Sequence, residues 1–221
     1  MAATLVVVFL HIADPAPHRA VLLRHARPSD VRPIAELLAA PAEPVAPPPI
    51  GGAQFRWEEQ SEVARWLGVL PSRLVPSADH LFAVVADEVT GEIVGCAELG
   101  LVPAPAHGAR ESERAPHAAE RVAYVGNLAV ASAQRRRGLA RRLVGFACKW
   151  ARSQWHRPDV FTHVDAANAP ARALYAALGF CVYEGSMDGA APARLGAGQS
   201  ERAGQVLLVR HAPPPRAEEG G

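Results

Sequence analysis

The chain has 221 residues, 49% of them hydrophobic, and its 23 basic and 22 acidic side chains give a formal net charge of +1. This length suffices for one well-buried core and is short for two ordinary domains. A charge near zero gives no reason to expect nucleic acid or a membrane surface as the main partner. Cys96, Cys148 and Cys181 are odd in number and lie in apolar sequence, which predicts buried free thiols rather than disulfides or a metal site.

Residues 1–19 are predicted to form a leader before the folded domain. Residues 2–10 are apolar, but this run is too short to span a bilayer and lacks the basic residues of a secretory signal. A short strand or a disordered segment is the favoured interpretation, and an alanine-rich organellar transit peptide is the alternative. The cytoplasm is therefore the expected compartment, with a plastid or another organelle as the second choice.

The N-terminal half is predicted to run through a strand, two helices and a hairpin. A strand over 20–26 is followed by Pro28, Ser29 and Asp30, which favour the start of a helix. The proline-rich segment 41–52 predicts a loop before the second helix. That helix is expected over 57–70, with an apolar face made by Val63, Trp66, Leu67 and Leu70. Strands over 80–86 and 92–102, joined by a turn at Thr90-Gly91, predict an antiparallel pair.

The C-terminal half carries an alternating pattern of strands and helices. After a loop over 103–120, the pattern predicts a strand over 122–130, a helix over 138–152, a strand over 160–165, a helix over 170–178, and last strands over 180–183 and 205–210. Gly179 is expected to end the second of these helices in a left-handed conformation. One domain is predicted over 20–212, with a disordered tail over 213–221.

The turn over 134–140 has the properties of an anion-binding site. It lies between an apolar strand and an amphipathic helix, where free backbone N–H groups and the positive end of the helix come together. Gly138 and Ala140 would let phosphates approach the backbone, and the arginines at 135–137 would add charge-assisted hydrogen bonds. The alternative is a solvated basic surface, which is what a run of arginines usually indicates.

Two motifs in this half resemble those of the GNAT superfamily of acetyltransferases. The pattern Arg-x-x-Gly-x-Ala from Arg135 to Ala140, shortly after Asn127-Leu128-Ala129-Val130, resembles the family's acetyl-CoA motif. The segment 168–175 with Leu178-Gly179-Phe180 resembles the second half of that cofactor site. The specific similarity extends over about 121–183. It implies an α/β fold whose mostly antiparallel, splayed sheet has about six to seven strands and is flanked by about four helices.

The resemblance implies acetyl-CoA as cosubstrate, with no metal. It implies that the backbone of Leu128, Ala129 and Val130 pairs with the pantetheine arm and that Asn168 contacts the cofactor. The pyrophosphate would be held by Arg135, Arg136, Arg137, Gly138, Leu139 and Ala140. Because the pantetheine would pair with an exposed strand edge, the strands over 122–130 and 160–165 are expected to splay.

Three side chains are candidates for the chemistry. Tyr175 occupies the family's general-acid position, although periodicity alone favours a core aromatic with a satisfied hydroxyl. His163 and Asp165 project to one strand face, and a histidine, with a pKa of roughly 6.5, suits proton abstraction. The segment 163–168 resembles Nα-acetyltransferases in which such a histidine works with a tyrosine corresponding to Tyr124. The alternatives are a structural histidine, or an ordered water with Tyr124 as the base.

The acceptor is expected to be a primary amine that attacks directly within a ternary complex. Protein N-termini are the first choice and lysine side chains the second, because an α-amine has a pKa of roughly 7.7–8.0 against roughly 10.4 for lysine. Similar plastid GNAT enzymes acetylate both. The acceptor site is expected in 41–70 and 103–120, and monomer or dimer stays open. The alternatives are a small-molecule amine acetyltransferase, a noncatalytic acyl-CoA-binding regulatory domain, and a basic-patch nucleic-acid binder.

Overall fold

The computed structural model describes residues 10–12, 20–40, 52–75, 77–104, 121–184 and 204–211. Within these ranges the strands are β1 Leu10–Ile12, β2 Val21–His25, β3 His80–Asp87, β4 Ile93–Pro103, β5 Arg121–Val130, β6 Val160–Asp165, β7 Cys181–Val182 and β8 Gln205–Arg210. The α-helices are α1 Val31–Ala39, α2 Gly52–Arg73, α3 Leu139–Gln154 and α4 Ala169–Ala177. The predicted mixed α/β class is confirmed. None of the described helices is long and apolar enough to cross a membrane.

The chain divides into two compact units, one of Met1–Gly100 with Val125–Ala147 and one of Leu101–Tyr124 with Cys148–Gly221. Three elements, β4, β5 and α3, contribute residues to both units. Most of the predicted loops at 41–52 and 103–120, the loop after β7 and the tail over 213–221 lie outside the described residues. The predicted domain boundaries stay a prediction, although β1 already lies within the segment expected to be a leader.

The strands β1 to β4 of the first unit pair antiparallel in chain order; short connections join β1 to β2 and β3 to β4, whereas α1 and α2 lie between β2 and β3. Leu10 pairs with Leu23, and Val21 pairs with Asp87. The predicted hairpin of β3 and β4 is confirmed, with a register shift between Val85 and Ala86. Its turn contains Gly91 at φ 72°. The Asp87 carboxylate accepts the N–H groups of Val89 and Thr90, each at 2.9 Å.

The core of the first unit lies where α1 and α2 cover the hairpin. Ile34 and Leu70 are fully buried, and Trp66 is 5% exposed. The predicted apolar face of α2 is confirmed, since Val63 and Leu67 pack beside Trp66 and Leu70 in this cluster. The 3.6-residue repeat of these side chains therefore positions the helix on the sheet.

The start of α1 follows the prediction, although Asp30 caps the turn before the helix and not the helix itself. A short 3-10 turn over Pro28–Asp30 precedes α1; the Asp30 side chain makes no cap hydrogen bond to α1 but forms a capping box on this turn with Arg27. The carboxylate accepts the backbone N–H of Arg27 at 2.7 Å, and it also accepts Arg24 Nη1 at 2.6 Å and Arg24 Nη2 at 3.0 Å. Burial raises the pKa of Asp30, and the bonds from Arg24 and Arg27 lower it further than burial raises it, so the net shift is downward.

Asp30→Asn should lower the free energy of unfolding by about 2 kcal/mol at neutral pH, because a buried guanidinium then loses its charged partner. A carboxyl with a lowered pKa stabilises the fold above its unfolded pKa, and this contribution is lost as the pH falls through the folded pKa. Urea unfolding at pH 7 and near pH 3 should therefore show the difference shrinking in acid. Glu36→Gln, which breaks the exposed pair with Arg32, should change little. Equal stabilities at pH 7 would contradict the prediction.

The second unit is built on β6 and β8, and both strands have the predicted bounds. They pair antiparallel from Val160 opposite Arg210 to Asp165 opposite Gln205. β5 runs parallel to β6, and in the described residues this register has two pairs, Ala123 with Val160 and Tyr124 with Phe161. The core of the unit contains Val102, Tyr124, Phe161, Leu207 and Val209.

The prediction for the cysteines holds for two of the three. Cys96 and Cys148 are buried free thiols, as expected. Cys181 is free but exposed, and its predicted burial is wrong. The reason is that β7 has two residues, both exposed, and pairs with β8. An apolar sequence context does not bury a side chain on so short a strand.

Candidate active site

The turn between β5 and α3 lies within the first unit and has the form expected for an anion site. After Val130, a 3-10 turn over Ser132–Gln134 is closed by the Gln134 N–H to the carbonyl of Ala131 at 2.8 Å. The first backbone hydrogen bond of α3 is the one that the Arg142 N–H donates to the Gly138 carbonyl at 3.0 Å. The N–H groups of residues 139–141 therefore have no acceptor within the helix. They lie at its positive end.

Gly138 makes room for a ligand at this turn. Its φ is 76°, a left-handed conformation that glycine adopts without strain, and it is exposed. A Cβ built at this position would meet no atom within 4 Å. Leu139 is 1% exposed, so its side chain belongs to the core and only its backbone is available to a ligand. An exposed, unobstructed backbone fits a pyrophosphate.

The three arginines of the turn have different surroundings. Arg135 donates from Nε to the carbonyl of Val130 at 3.2 Å, and Arg137 donates to the side-chain oxygen of Gln134. Both are half-buried, whereas Arg136 is exposed with φ 65°. Arg135 and Arg137 therefore brace the turn through local bonds, and Arg136 extends from it. The predicted phosphate contacts stay a prediction.

The strand residues predicted to bind pantetheine are half-buried. Leu128, Ala129 and Val130 lie at the end of β5. Gly95 on β4 approaches them closely, since a Cβ at Gly95 would lie 3.3 Å from the carbonyl oxygen of Ala129. The lack of a side chain at Gly95 thus sets how closely β4 and β5 pack here.

In the second unit, the structure brings two of the predicted catalytic residues together. The hydroxyl of Tyr124 lies 2.9 Å from Nδ1 of His163, and the two rings are 5.7 Å apart. Tyr124 is 2% exposed, whereas His163 is half-buried. Asp165, predicted on the same strand face, is exposed and accepts the N–H of Ala167 at 2.8 Å. The buried tyrosine therefore holds the more accessible histidine.

Tyr175, on α4, packs in the same unit against Thr162, the β6 residue that precedes His163. It is 4% exposed, and its ring meets Phe180 edge to face at 5.2 Å. Its hydroxyl accepts a long hydrogen bond, 3.5 Å, from Oγ1 of Thr162. Burial raises the pKa of Tyr175, so the phenol keeps its proton. That is the form a general acid requires, and the packing also fits a core aromatic.

Asn168 caps a helix, and its predicted cofactor contact stays a prediction. Its Oδ1 accepts the N–H of Ala171 at 3.0 Å at the start of α4. The residue is exposed. The side-chain oxygen is therefore engaged in the cap, and the amide nitrogen is the group that stays available to a ligand.

A buried polar cluster in the first unit was missed from the sequence. Glu98 on β4 is 0% exposed and accepts hydrogen bonds from Arg73, His80 and Asn127. A charged residue in the middle of the apolar run Cys96-Ala97-Glu98-Leu99 was the signal that could have found it. Within the described residues, no group of three His, Cys, Asp or Glu side chains could hold a metal ion.

Comparison with known proteins places these features in a family. The sequence profile described as the Acetyltransferase (GNAT) family matches residues 45–180. Curated protein sequences give no match. The chain is similar in structure to the PaiA N-acetyltransferase from Thermoplasma acidophilum in complex with coenzyme A, with TM-score 0.57, 13% identity, and coverage of 86% of this chain and 98% of that chain.

Two further structures show the same fold. For NAA60 of Arabidopsis thaliana in complex with acetyl-CoA, the TM-score is 0.53 and the identity 18%, covering 86% of this chain and 98% of that one. For the ribosomal-protein-S5-alanine acetyltransferase from Vibrio fischeri, the TM-score is 0.51 and the identity 14%, covering 94% of this chain and 98% of that one. At these identities the similarity shows the fold alone. Because the family profile spans more than half of the chain, the protein belongs to the GNAT family and is an acetyl-CoA-dependent N-acetyltransferase.

Proposed function

We propose that this enzyme acetylates the α-amine of protein N-termini, with lysine side chains as a second acceptor class. The observation that carries the proposal is the 2.9 Å hydrogen bond between the Tyr124 hydroxyl and His163 Nδ1. An α-amine, with a pKa of roughly 7.7–8.0, is neutral in roughly a tenth of the molecules at pH 7, far more than a lysine side chain with a pKa of roughly 10.4, so a mild base suffices. A histidine held in one orientation is such a base.

His163 is the member of the pair that faces the acceptor, because Tyr124 is buried and His163 is only half-buried. If Nδ1–H donates to the Tyr124 oxygen, Nε2 presents its lone pair to the ammonium proton. The neutral amine then attacks the thioester carbonyl directly, the carbon–nitrogen bond forms, and the carbon–sulfur bond breaks. The proton that the new amide nitrogen loses goes to solvent, from which the phenol that protonates the thiolate is restored. Tyr175, whose phenol is protonated, supplies the proton that the departing thiolate takes up.

In the first unit, the turn provides the binding of acetyl-CoA. The exposed backbone at Gly138 and the N-terminal N–H groups of α3 would hold the pyrophosphate, with charge from Arg135, Arg136 and Arg137. The backbone of residues 128–130 would pair with the pantetheine arm. Asn168 is proposed to contact the cofactor through its amide nitrogen.

The similar structures support a protein acceptor. One structure of Arabidopsis thaliana NAA60, with TM-score 0.53, is a complex with a bisubstrate analogue, and the Vibrio fischeri enzyme is named for ribosomal protein S5 alanine. At 17% and 14% identity they add weight to the proposal without determining the acceptor.

Thiol release from acetyl-CoA tests the proposal most directly. The acceptors should be peptides with a free N-terminus and no lysine, the same peptides N-terminally blocked with one lysine added, and small polyamines. Release with the first set, and more slowly with the second, is expected. Release with polyamines alone would identify a small-molecule enzyme. Acetyl-CoA binding without release for any acceptor would indicate a noncatalytic regulatory domain.

Tyr124→Phe should lower kcat/KM by up to about tenfold, the value of one hydrogen bond of 0.5–1.5 kcal/mol. Losing the acceptor of Nδ1–H destabilises the imidazolium more than the neutral ring. The acid limb of the pH profile of kcat/KM should therefore move to lower pH. His211→Gln is the control, because this exposed histidine of the same unit bonds Asp159 at 3.1 Å and should leave the limb unchanged. An unmoved limb in Tyr124→Phe would remove the pair from the mechanism.

A further inference from the structure

One residue inside β5 has an unusual backbone conformation. Asn127 has φ 47°, in the left-handed region, and it immediately precedes the residues proposed to bind pantetheine. The other described non-glycine residues with positive φ, Arg136 and His156, lie outside the strands. Left-handed backbone costs a non-glycine residue about 1–2 kcal/mol, and asparagine tolerates it better than most. Such strain persists only where surrounding contacts impose it.

Contacts from β4 hold both the side chain and the main chain of Asn127. Its Nδ2 donates to Glu98 Oε2 at 2.5 Å, and its carbonyl oxygen lies 3.6 Å from Sγ of Cys96. Burial, together with the negative charge of Glu98, raises the pKa of the Cys96 thiol to about 12, so the sulfur keeps its proton and can donate. Cys96 and Glu98, two positions apart on β4, thus fix a single residue of β5, Asn127.

The Glu98 carboxylate is itself held by two further side chains, those of Arg73 and His80. Its Oε1 lies 2.6 Å from Nε2 of His80, and Arg73 Nη1 lies 3.3 Å from its Oε2. A carboxylate that is 0% exposed carries a large desolvation cost, which a leucine in the same strand would avoid. Arg73 and His80 offset that cost and leave the carboxylate in one orientation, aimed at Asn127.

We propose that Glu98 is a positioning residue for the cofactor strand. By binding the Asn127 side chain, it fixes the left-handed turn of β5 and so directs the backbone groups of residues 128–130 toward the pantetheine arm. This inference rests on the proposed role of that strand in binding acetyl-CoA. It assigns Glu98 no contact with the substrates.

Substitutions at Asn127 test the inference without removing Glu98. Glycine adopts a positive φ without a side-chain bond, whereas alanine lacks the bond and disfavours the conformation. Asn127→Gly should therefore bind acetyl-CoA about tenfold more tightly than Asn127→Ala, as 1–2 kcal/mol of strain implies. Calorimetric titration gives both dissociation constants, and circular dichroism checks that both variants fold. Equal affinities would overturn the inference.

A double-mutant cycle tests Glu98 itself. Glu98→Gln keeps the shape but offers one amide oxygen to three donors, and it should raise the acetyl-CoA Kd and KM about tenfold with kcat changed less than about threefold. In the Asn127→Gly background, Glu98→Gln should raise the acetyl-CoA Kd and KM less than about threefold, because glycine adopts the positive φ without a hydrogen bond to Glu98. Equal costs in both backgrounds, or a loss confined to kcat, would overturn the positioning role.

The failure of this inference is distinguishable from the failure of the proposed function. Gly138→Glu abolishing acetyl-CoA binding, while every variant at 98 and 127 binds as wild type does, would support the proposed cofactor site. The positioning role of Glu98 would then be wrong. If acetyl-CoA binds and neither set of variants affects it, the assignment of the site itself is wrong.

Discussion

Gly138→Glu should abolish acetyl-CoA binding while the protein remains folded. The new carboxylate would lie at the N-terminus of α3, where it would satisfy the free N–H groups and repel the pyrophosphate. A side chain at this position has room, since a Cβ would meet no atom within 4 Å. The conformation at φ 76° adds strain of about 1–2 kcal/mol, which a stable domain tolerates.

Gly138→Ala is the matched control, because alanine carries the same backbone strain without the charge. It should lower the melting temperature at least as much as glutamate does, because it lacks the carboxylate that stabilises the helix N-terminus, and it should retain measurable acetyl-CoA affinity. Calorimetric titration of the two variants beside wild type separates strain from charge. Unchanged affinity in a folded Gly138→Glu protein would show that this turn does not hold the pyrophosphate.

Tyr175→Phe should reduce turnover by about 10²-fold or more and leave acetyl-CoA affinity almost unchanged, the lower end of what a positioned general acid contributes. The ring and its contact with Phe180 are preserved, so packing should survive. A purely structural hydroxyl predicts the opposite pattern, a loss of roughly 0.5–1.5 kcal/mol in stability with a normal rate per folded molecule. The melting temperature and the single-turnover rate should be measured on one preparation.

Thr162→Val controls for the hydrogen bond that the structure gives Tyr175. It removes the 3.5 Å donor and leaves the phenol in place. Because that bond is long, turnover should fall less than about tenfold. A rate near wild type in Tyr175→Phe, at saturating acceptor, would leave His163 without its proposed acid partner.

The sequence predicted the elements that depend on local pattern. β6 and β8 have the predicted bounds because apolar strands are delimited by turn and polar residues, and the α2 face follows from helical periodicity. The contact of Tyr124 with His163 was expected from family resemblance, since 39 positions separate the two residues and no local pattern joins them.

The Glu98 cluster could not be predicted in the same way. Its partners Arg73, His80 and Asn127 lie 25, 18 and 29 positions away on three different elements, so their meeting depends on packing rather than on periodicity. The left-handed conformation of Asn127 is likewise a property of the folded strand. Asp30 shows the same limit, because its position predicted a helix start, which it caps through the 3-10 turn, but not its buried pair with Arg24.

The buried thiol on β4 has a chemical consequence for an enzyme that handles a thioester. Cys96 lies beside the strand proposed to hold the pantetheine arm, and thiolates exchange acyl groups with thioesters. Burial and the charge of Glu98 raise the pKa of Cys96 to about 12, so near neutral pH the sulfur stays a protonated thiol. A thiol that keeps its proton is a poor nucleophile, so we expect Cys96 not to take the acetyl group from a thioester bound as proposed at residues 128–130.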